Sequence, residues 1–170
     1  HGLGAVPQVI ILKCLIDVAR PWYVYHVGVD ANNPANYNLR LNNSDARQDS
    51  TTEFNDTAPT SSVFRVQNKD DAGANGSTYV AYCFHSVDGY SKVGSYTGNA
   101  NADGTFVYTG FRPAFVIIKP SSRGGHWMMA NSESNPYNVV DKVIFANSSD
   151  AEYTDPAADC KKDFLSNGFK

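Results

Sequence analysis

The chain aligns with itself over a long stretch, and this internal repeat constrains its fold more than any other feature of the sequence. Residues 4–13 parallel residues 110–119, with the proline and the lysine of the first segment recurring 106 positions later. One loop residue is then lost, and from there the offset is 105, so that Trp22 matches Trp127. A period shared by core and turn residues indicates one supersecondary unit used twice.

The repeat divides the chain into blocks. Residues 2–109 form one complete unit of about 105 residues, made of a first block, 2–66, and a connecting block, 67–109; residues 110–170 are a partial second copy of the first block, which we expect to pack into the same β-sandwich. The rest of that copy is expected either beyond the last residue or from a following subunit. The first residue is His1, which indicates processing or a fragment of a longer polypeptide.

The residue pattern predicts strands and turns. The sequence has three Glu and abundant Asn, Asp, Ser, Thr and Gly, with 12% aromatic residues, a mixture that favours strands over helices. The β-branched runs Val9–Leu12 and Val116–Ile118 are typical of central buried strands. Further strands are predicted over Trp22–His26 and Tyr79–Phe84. Short strands spaced near ten residues apart predict an all-β, antiparallel β-sandwich of the jelly-roll kind.

A hairpin is also predicted in the connecting block. Val93–Tyr96 and Thr105–Tyr108 flank a polar stretch rich in Gly, Asn and Asp, as expected of two strands joined by a long tip. Residues 68–77 carry several turn formers and nothing to bury, so they are predicted to form a surface loop.

Charge and cysteine content exclude several classes of function. The formal net charge is -3 with Lys and Arg scattered singly, so nucleic-acid binding is disfavoured. No stretch has the length of a membrane-spanning helix. Cys14, Cys83 and Cys160 fit neither a zinc pattern nor a dense disulfide framework, and we expect buried free thiols, with a Cys14–Cys160 bridge left open.

No arrangement of catalytic or metal-binding residues is recognisable. Glycoside hydrolysis needs two carboxylates across one cleft, and no such pair is apparent; Asp45 and Asp150 recur in the repeat but beside small polar residues typical of turns. The four His residues lack zinc-ligand spacing and no G-x-S-x-G motif occurs. A structural calcium ion is left open but no D-x-D-x-D-G loop indicates one. We therefore expect no enzyme and no cofactor.

Two kinds of residue remain as candidate sites. Trp22 and Trp127 could stack on sugar rings, although their apolar neighbours favour a core position. Four N-x-[ST] sequons are candidate N-glycosylation sites, which depends on a glycosylating host; they are Asn42, Asn55, Asn75 and Asn147.

The sequence also resembles a known group of domains. The segments 94–99, 103–113 and 163–170 are similar to an uncharacterised concanavalin A-like (laminin G-like) jelly-roll family of virion structural and tail-fibre-like proteins from marine bacteriophages and cyanophages. The resemblance spans nearly the whole chain and implies a fold and a location, without catalytic residues. The N-terminal copy departs most, at Cys14–Asp17.

Taken with the repeat, the resemblance predicts a structural protein on a virion surface or outside a cell. Its expected role is that of a phage tail-fibre, appendage or capsid-decorating component that self-associates or attaches to a surface. Its partners would be other copies, other virion proteins or host-surface glycans, with no nucleic acid and no membrane insertion. A lectin-like carbohydrate-binding module and a subunit of an extracellular filament are the alternatives.

Overall fold

The structure is a computed structural model that describes residues 1–17, 19–67, 72–154 and 161–170. These residues form twelve short strands and almost no helix. In chain order the strands are β1 (Val9–Cys14), β2 (Tyr23–His26), β3 (Tyr37–Arg40), β4 (Gln48–Asp49), β5 (Tyr79–Phe84), β6 (Val107–Tyr108), β7 (Phe115–Ile118), β8 (Met128–Asn131), β9 (Lys142–Phe145), β10 (Tyr153–Thr154), β11 (Phe164–Leu165) and β12 (Gly168–Phe169).

The strands make three sheets in which every described pair is antiparallel. The first sheet has the order β4-β3-β2-β1-β5, the second β10-β9-β8-β7, and the third β11-β12-β6. The prediction of a nearly all-β, antiparallel fold is confirmed, and the arrangement is consistent with a β-sandwich. One helical turn, α1 (Thr51–Phe54), follows β4, and the Ser50 side chain caps it by accepting the Thr52 N–H.

The first two sheets have matching strand order and matching register. Strand β7 begins 106 residues after β1, and β8, β9 and β10 each begin 105 residues after β2, β3 and β4. Ile11 faces Val24 across β1 and β2, while Ile117 faces Met129 across β7 and β8. The β2–β3 and β3–β4 pairings recur in the same way in β8–β9 and β9–β10.

Each of these sheets buries one face in its own hydrophobic core. In the first half, residues of β1 and β2 pack with Phe54 of α1 and with Ala72. In the second half, Val116, Ala130 and Val143 pack with Phe164 and Phe169 of the third sheet. Because side chains alternate along a strand, these core residues lie on one face of each sheet. The opposite face of each sheet is not covered by that core.

Two predictions about strands need correction. Strand β1 is central, between β2 and β5, but β7 lies at an edge of the second sheet among the described residues. The hairpin predicted between 93–96 and 105–108 is wrong, since Val107 and Tyr108 pair with β12 instead. The physical reason is that Phe169 and Gly168 offer a backbone partner from the adjoining core, and Tyr96 packs its ring against Phe169 without joining the sheet.

Candidate functional site

The two halves of the chain meet at a hydrophobic junction on the second face of the first sheet. Val24 and Leu39 lie on this face and are 2% and 4% exposed, and Trp127, the residue before β8, packs with them. Backbone hydrogen bonds from Arg47 N–H to the Ser121 oxygen and from Gly125 N–H to the Ser44 oxygen, both 2.8 Å, join loops of the two halves. The second half therefore supplies the cover for the first.

Trp127 is held in this junction by two hydrogen bonds. Its backbone N–H donates to Asn147 Oδ1 at 2.8 Å, and its indole Nε1–H donates to the Arg40 carbonyl at 2.9 Å. The side chain is 7% exposed. A buried ring with its polar atom satisfied is what a core tryptophan requires, so little of the Trp127 ring is available for stacking on a sugar.

Trp22 has the same backbone anchor and a different environment. Its N–H donates to Asn42 Oδ1 at 3.0 Å, but its side chain is only partly buried. It lines a surface depression of about 260 Å³ together with Leu41, Asn42 and Ala146. The Lys13 ammonium lies 5.9 Å from the centre of the Trp22 ring, within range of a cation–π contact.

The predicted sequons fall in three kinds of position. Asn42 and Asn147 each accept a tryptophan N–H through Oδ1, and Asn147 Nδ2 also lies 3.0 Å from His126 Nδ1. Asn55 ends α1 in the left-handed conformation with φ of 54° and is partly buried. Asn75 is exposed in a loop. Glycosylation at these residues stays a prediction.

The acidic side chains are dispersed over the described part of the chain. Glu53 is buried and accepts from Asn38 Nδ2 at 3.1 Å, whereas Glu152 is partly exposed and paired with Lys142 at 3.4 Å. Asp45 and Asp150 are both exposed and hydrogen-bonded to side chains two residues earlier, as expected in turns. No group of three His, Cys, Asp or Glu residues that could hold a metal ion occurs among the described residues.

The two described cysteines are both at least partly buried. Cys14 is buried and Cys83 is partly buried, and burial raises the pKa of the Cys83 thiol. Cys160 lies outside the described residues, so the Cys14–Cys160 bridge stays a prediction. Residues 68–71 of the predicted 68–77 surface loop also lie outside them, and Ala72 of that loop is buried in the core. Within the ranges that the structure describes, no helix has the length and apolar character needed to cross a membrane.

A charged pair stabilises the loop beside the junction. The Asp30 carboxylate accepts the Asn33 and Asn32 N–H groups and Arg47 Nη1, each at 3.0 Å. The two backbone hydrogen bonds, first that from Asn33, and then the Arg47 guanidinium hold the pKa of Asp30 below its ordinary value. Arg47 also stacks its guanidinium 4.4 Å from the centre of the Tyr37 ring and donates to the Val29 carbonyl.

The lowered pKa of Asp30 gives a testable dependence of stability on pH. Because the pKa is lower in the folded chain, the carboxylate stabilises the fold above its ordinary pKa, and this contribution is lost as the pH falls below about 4. We expect Asp30→Asn to be less stable than the wild type at neutral pH and to lose less stability on acidification. Urea unfolding at several pH values measures both; a parallel acid dependence in the two proteins would contradict the expectation.

The second sheet presents an open apolar face, which the sequence analysis did not identify. Phe115 and Ile117 of β7 and Ile144 of β9 are 52%, 48% and 40% exposed. The strand pairing puts Met129 between Ile117 and Ile144 on the same face, and Met129 is partly buried. Their equivalents on the first sheet are Val9, Ile11, Val24 and Leu39, which form the junction cluster. We call the four residues Phe115, Ile117, Met129 and Ile144 the open face.

The pattern of residues could not distinguish these two faces. Both sheets carry apolar side chains at the equivalent positions, and the difference is that those of the first sheet pack with Trp127 and Val29. Composition and alternation along the strands give the same prediction for both faces.

The chain was also compared with known proteins. A family model described as "Domain of unknown function (DUF7483)" matches residues 1–170, so the chain belongs to this family. No curated protein and no solved structure matches the chain. Because the family description names neither ligand nor activity, the geometry of the chain carries the functional argument.

Proposed function

We propose that this member of the DUF7483 family is a non-enzymatic structural protein that works by binding neighbouring protein units outside a cell. The observation that carries the proposal is the open face of the second sheet. An exposed, contiguous group of large apolar side chains marks an interaction surface more often than an isolated apolar residue does. Covering the exposed halves of Phe115, Ile117 and Ile144 would contribute about 1 kcal/mol each.

The proposal extends to the finer architecture. We infer a concanavalin A-like jelly roll built from a duplicated unit of about 105 residues, with 2–66 as the first block, 67–109 as the connecting block and 110–170 as the second copy. The equal strand orders and registers of the first two sheets support the duplication. The three sequence segments that resemble phage structural domains support the jelly roll.

The proposed location is the surface of a virion, as a tail-fibre, appendage or capsid-decorating component. This follows from the sequence resemblance, and the open face agrees with a subunit that must contact its neighbours. Each half would keep its own core, while the exposed apolar and aromatic side chains make the contacts between units.

The test combines composition of the particle with solution behaviour. We expect mass spectrometry of purified particles to detect the chain, and sedimentation velocity to show association that grows with protein concentration. Electron microscopy of the associated material separates a closed oligomer from an extracellular filament. A chain that stays monomeric at high concentration and is absent from particles would overturn the proposal.

Carbohydrate binding is the second candidate, and the geometry of Trp22 favours it. A partly exposed indole beside a shallow depression, with Asn42 next to it and the Lys13 ammonium close by, provides a ring face and polar groups for a sugar. A glycan array tests it. Any ligand found should bind at least about tenfold more weakly to Trp22→Ala and equally to the control Tyr137→Ala, whose residue is exposed elsewhere. An array without hits would exclude this function.

A further inference from the structure

The first and second sheets differ at one edge. In the first sheet, β5 pairs with β1 along six residues, with Phe84 opposite Val9 and Tyr82 opposite Ile11. In the second sheet the equivalent strand, β7, pairs with β8 on one side, and among the described residues nothing pairs with its other edge. The described part of the chain therefore contains one occupied and one open version of the same edge.

The open edge has the properties of a strand acceptor. Phe115–Ile118 contains no charge and no proline, the two devices that most often protect a sheet edge from further pairing. Phe115 and Ile117 lie half-exposed on this strand, whereas the equivalent Val9 and Ile11 are partly covered beside β5. An extended segment added here would satisfy the backbone groups and cover both side chains.

We propose that the free edge of β7 is a docking site for a β5-type strand supplied by another unit of the same family. The chemistry of the partner is read from β5 itself, since it occupies the equivalent edge in the first sheet. In the same register, a β5-type strand would put Phe84 of the incoming segment opposite Phe115 and Tyr82 opposite Ile117. The inference rests on the proposed function and names the kind of partner that the open face takes.

The direct test uses a labelled peptide with the sequence of residues 77–86, carrying Cys83→Ser to prevent oxidation. We expect saturable binding to the intact chain by fluorescence anisotropy. Hydrogen–deuterium exchange should slow at the amides of β7 in the complex and remain unchanged in β1 and β5. Binding that slows exchange in β1 instead would mean that the peptide had replaced β5 and would overturn the proposal, as would no binding at all.

N-methylated peptides distinguish backbone pairing from non-specific apolar binding. Alternate residues of a strand direct their N–H groups to the same edge, so peptides N-methylated at positions 80, 82 and 84 or at positions 81 and 83 block opposite edges. We expect one of the two to lose binding and the other to retain it. Equal behaviour of the two peptides would contradict pairing with one edge of the incoming strand.

Variants of the chain provide the matching control. Ile117→Lys changes a half-exposed side chain, so folding should be retained, and we expect peptide binding about tenfold weaker because one apolar contact is lost. Tyr137→Lys introduces the same charge at another exposed position and should bind as the wild type does.

The source of the strand is tested in the absence of peptide. Exchange protection of β7 that rises with the concentration of the intact chain, and that the 77–86 peptide does not displace, would assign the edge to a strand other than β5 and overturn the proposal, while leaving the proposed function in place. Absence of the chain from particles, together with peptide binding at β7, would have the opposite meaning: the function would fail and the strand acceptor would remain.

Discussion

Trp127→Ala is expected to lower the free energy of unfolding by about 3–5 kcal/mol, the range for removing a large aromatic side chain from a core. The substitution leaves a cavity over Val24 and Leu39 and removes the donor to the Arg40 carbonyl. Because Trp127 belongs to the second half and its contacts to the first, the loss should weaken the junction between them. Urea unfolding followed by circular dichroism measures the change.

The chain provides its own control for this substitution. Trp22 occupies the equivalent sequence position, makes the equivalent bond to Asn42 and is only partly buried. We expect Trp22→Ala to cost about 1–2 kcal/mol, since the removed side chain keeps part of its surface in water. Equal losses of unfolding free energy in the two variants would contradict the difference in burial between Trp22 and Trp127.

A second large effect is expected from Leu39→Asp, which introduces an unpaired carboxylate into the junction cluster. Leu39 is 4% exposed, so the variant loses the burial of an aliphatic side chain and must also desolvate a charge or protonate it. We expect a loss of at least about 4 kcal/mol, enough to unfold many small domains. Thermal and urea unfolding measure it.

The equivalent substitution in the second sheet should behave differently. Ile144 is 40% exposed, so an aspartate there remains solvated and we expect Ile144→Asp to cost less than about 1 kcal/mol. Its effect should fall on association instead, because it puts a charge on the open face. A strongly destabilised Ile144→Asp, or a tolerated Leu39→Asp, would contradict the assignment of one face as junction and the other as surface.

Much of the strand content follows from local sequence. The β5 segment reads as a strand because three aromatic residues and a valine lie together without a turn former, and it was predicted over the residues where it occurs. The strand predicted over Trp22–His26 became β2, one residue shorter. Such runs carry their own strand preference and need little help from distant residues.

Pairing between strands was harder to predict because it depends on contacts far apart in sequence. The stretch Thr105–Tyr108 has β-branched and aromatic residues that suit a hairpin strand, yet β6 pairs with β12, some sixty residues away. Strand β7 has the composition of a central strand and lies at an edge among the described residues. An apolar composition indicates that both faces of a strand can be buried. It does not indicate whether another strand pairs with each of its edges.

The candidate site shows the same difference between composition and environment. Trp22 and Trp127 are alike in sequence context and in their bond to an asparagine, but only Trp127 is buried in the junction cluster. The apolar residues of the open face match those of the junction cluster position by position. Which of the two sheets is covered depends on the packing of one half of the chain against the other, and that is a property of the tertiary structure.

We propose above all that the open face of the second sheet is where this protein contacts its neighbours. The most direct measurement is a cryo-electron microscopy map of the chain in its assembled form. We predict protein density over Phe115, Ile117 and Ile144, with a strand along the free edge of β7. An assembly in which this face remains open to solvent, while other surfaces make all the contacts, would contradict the claim.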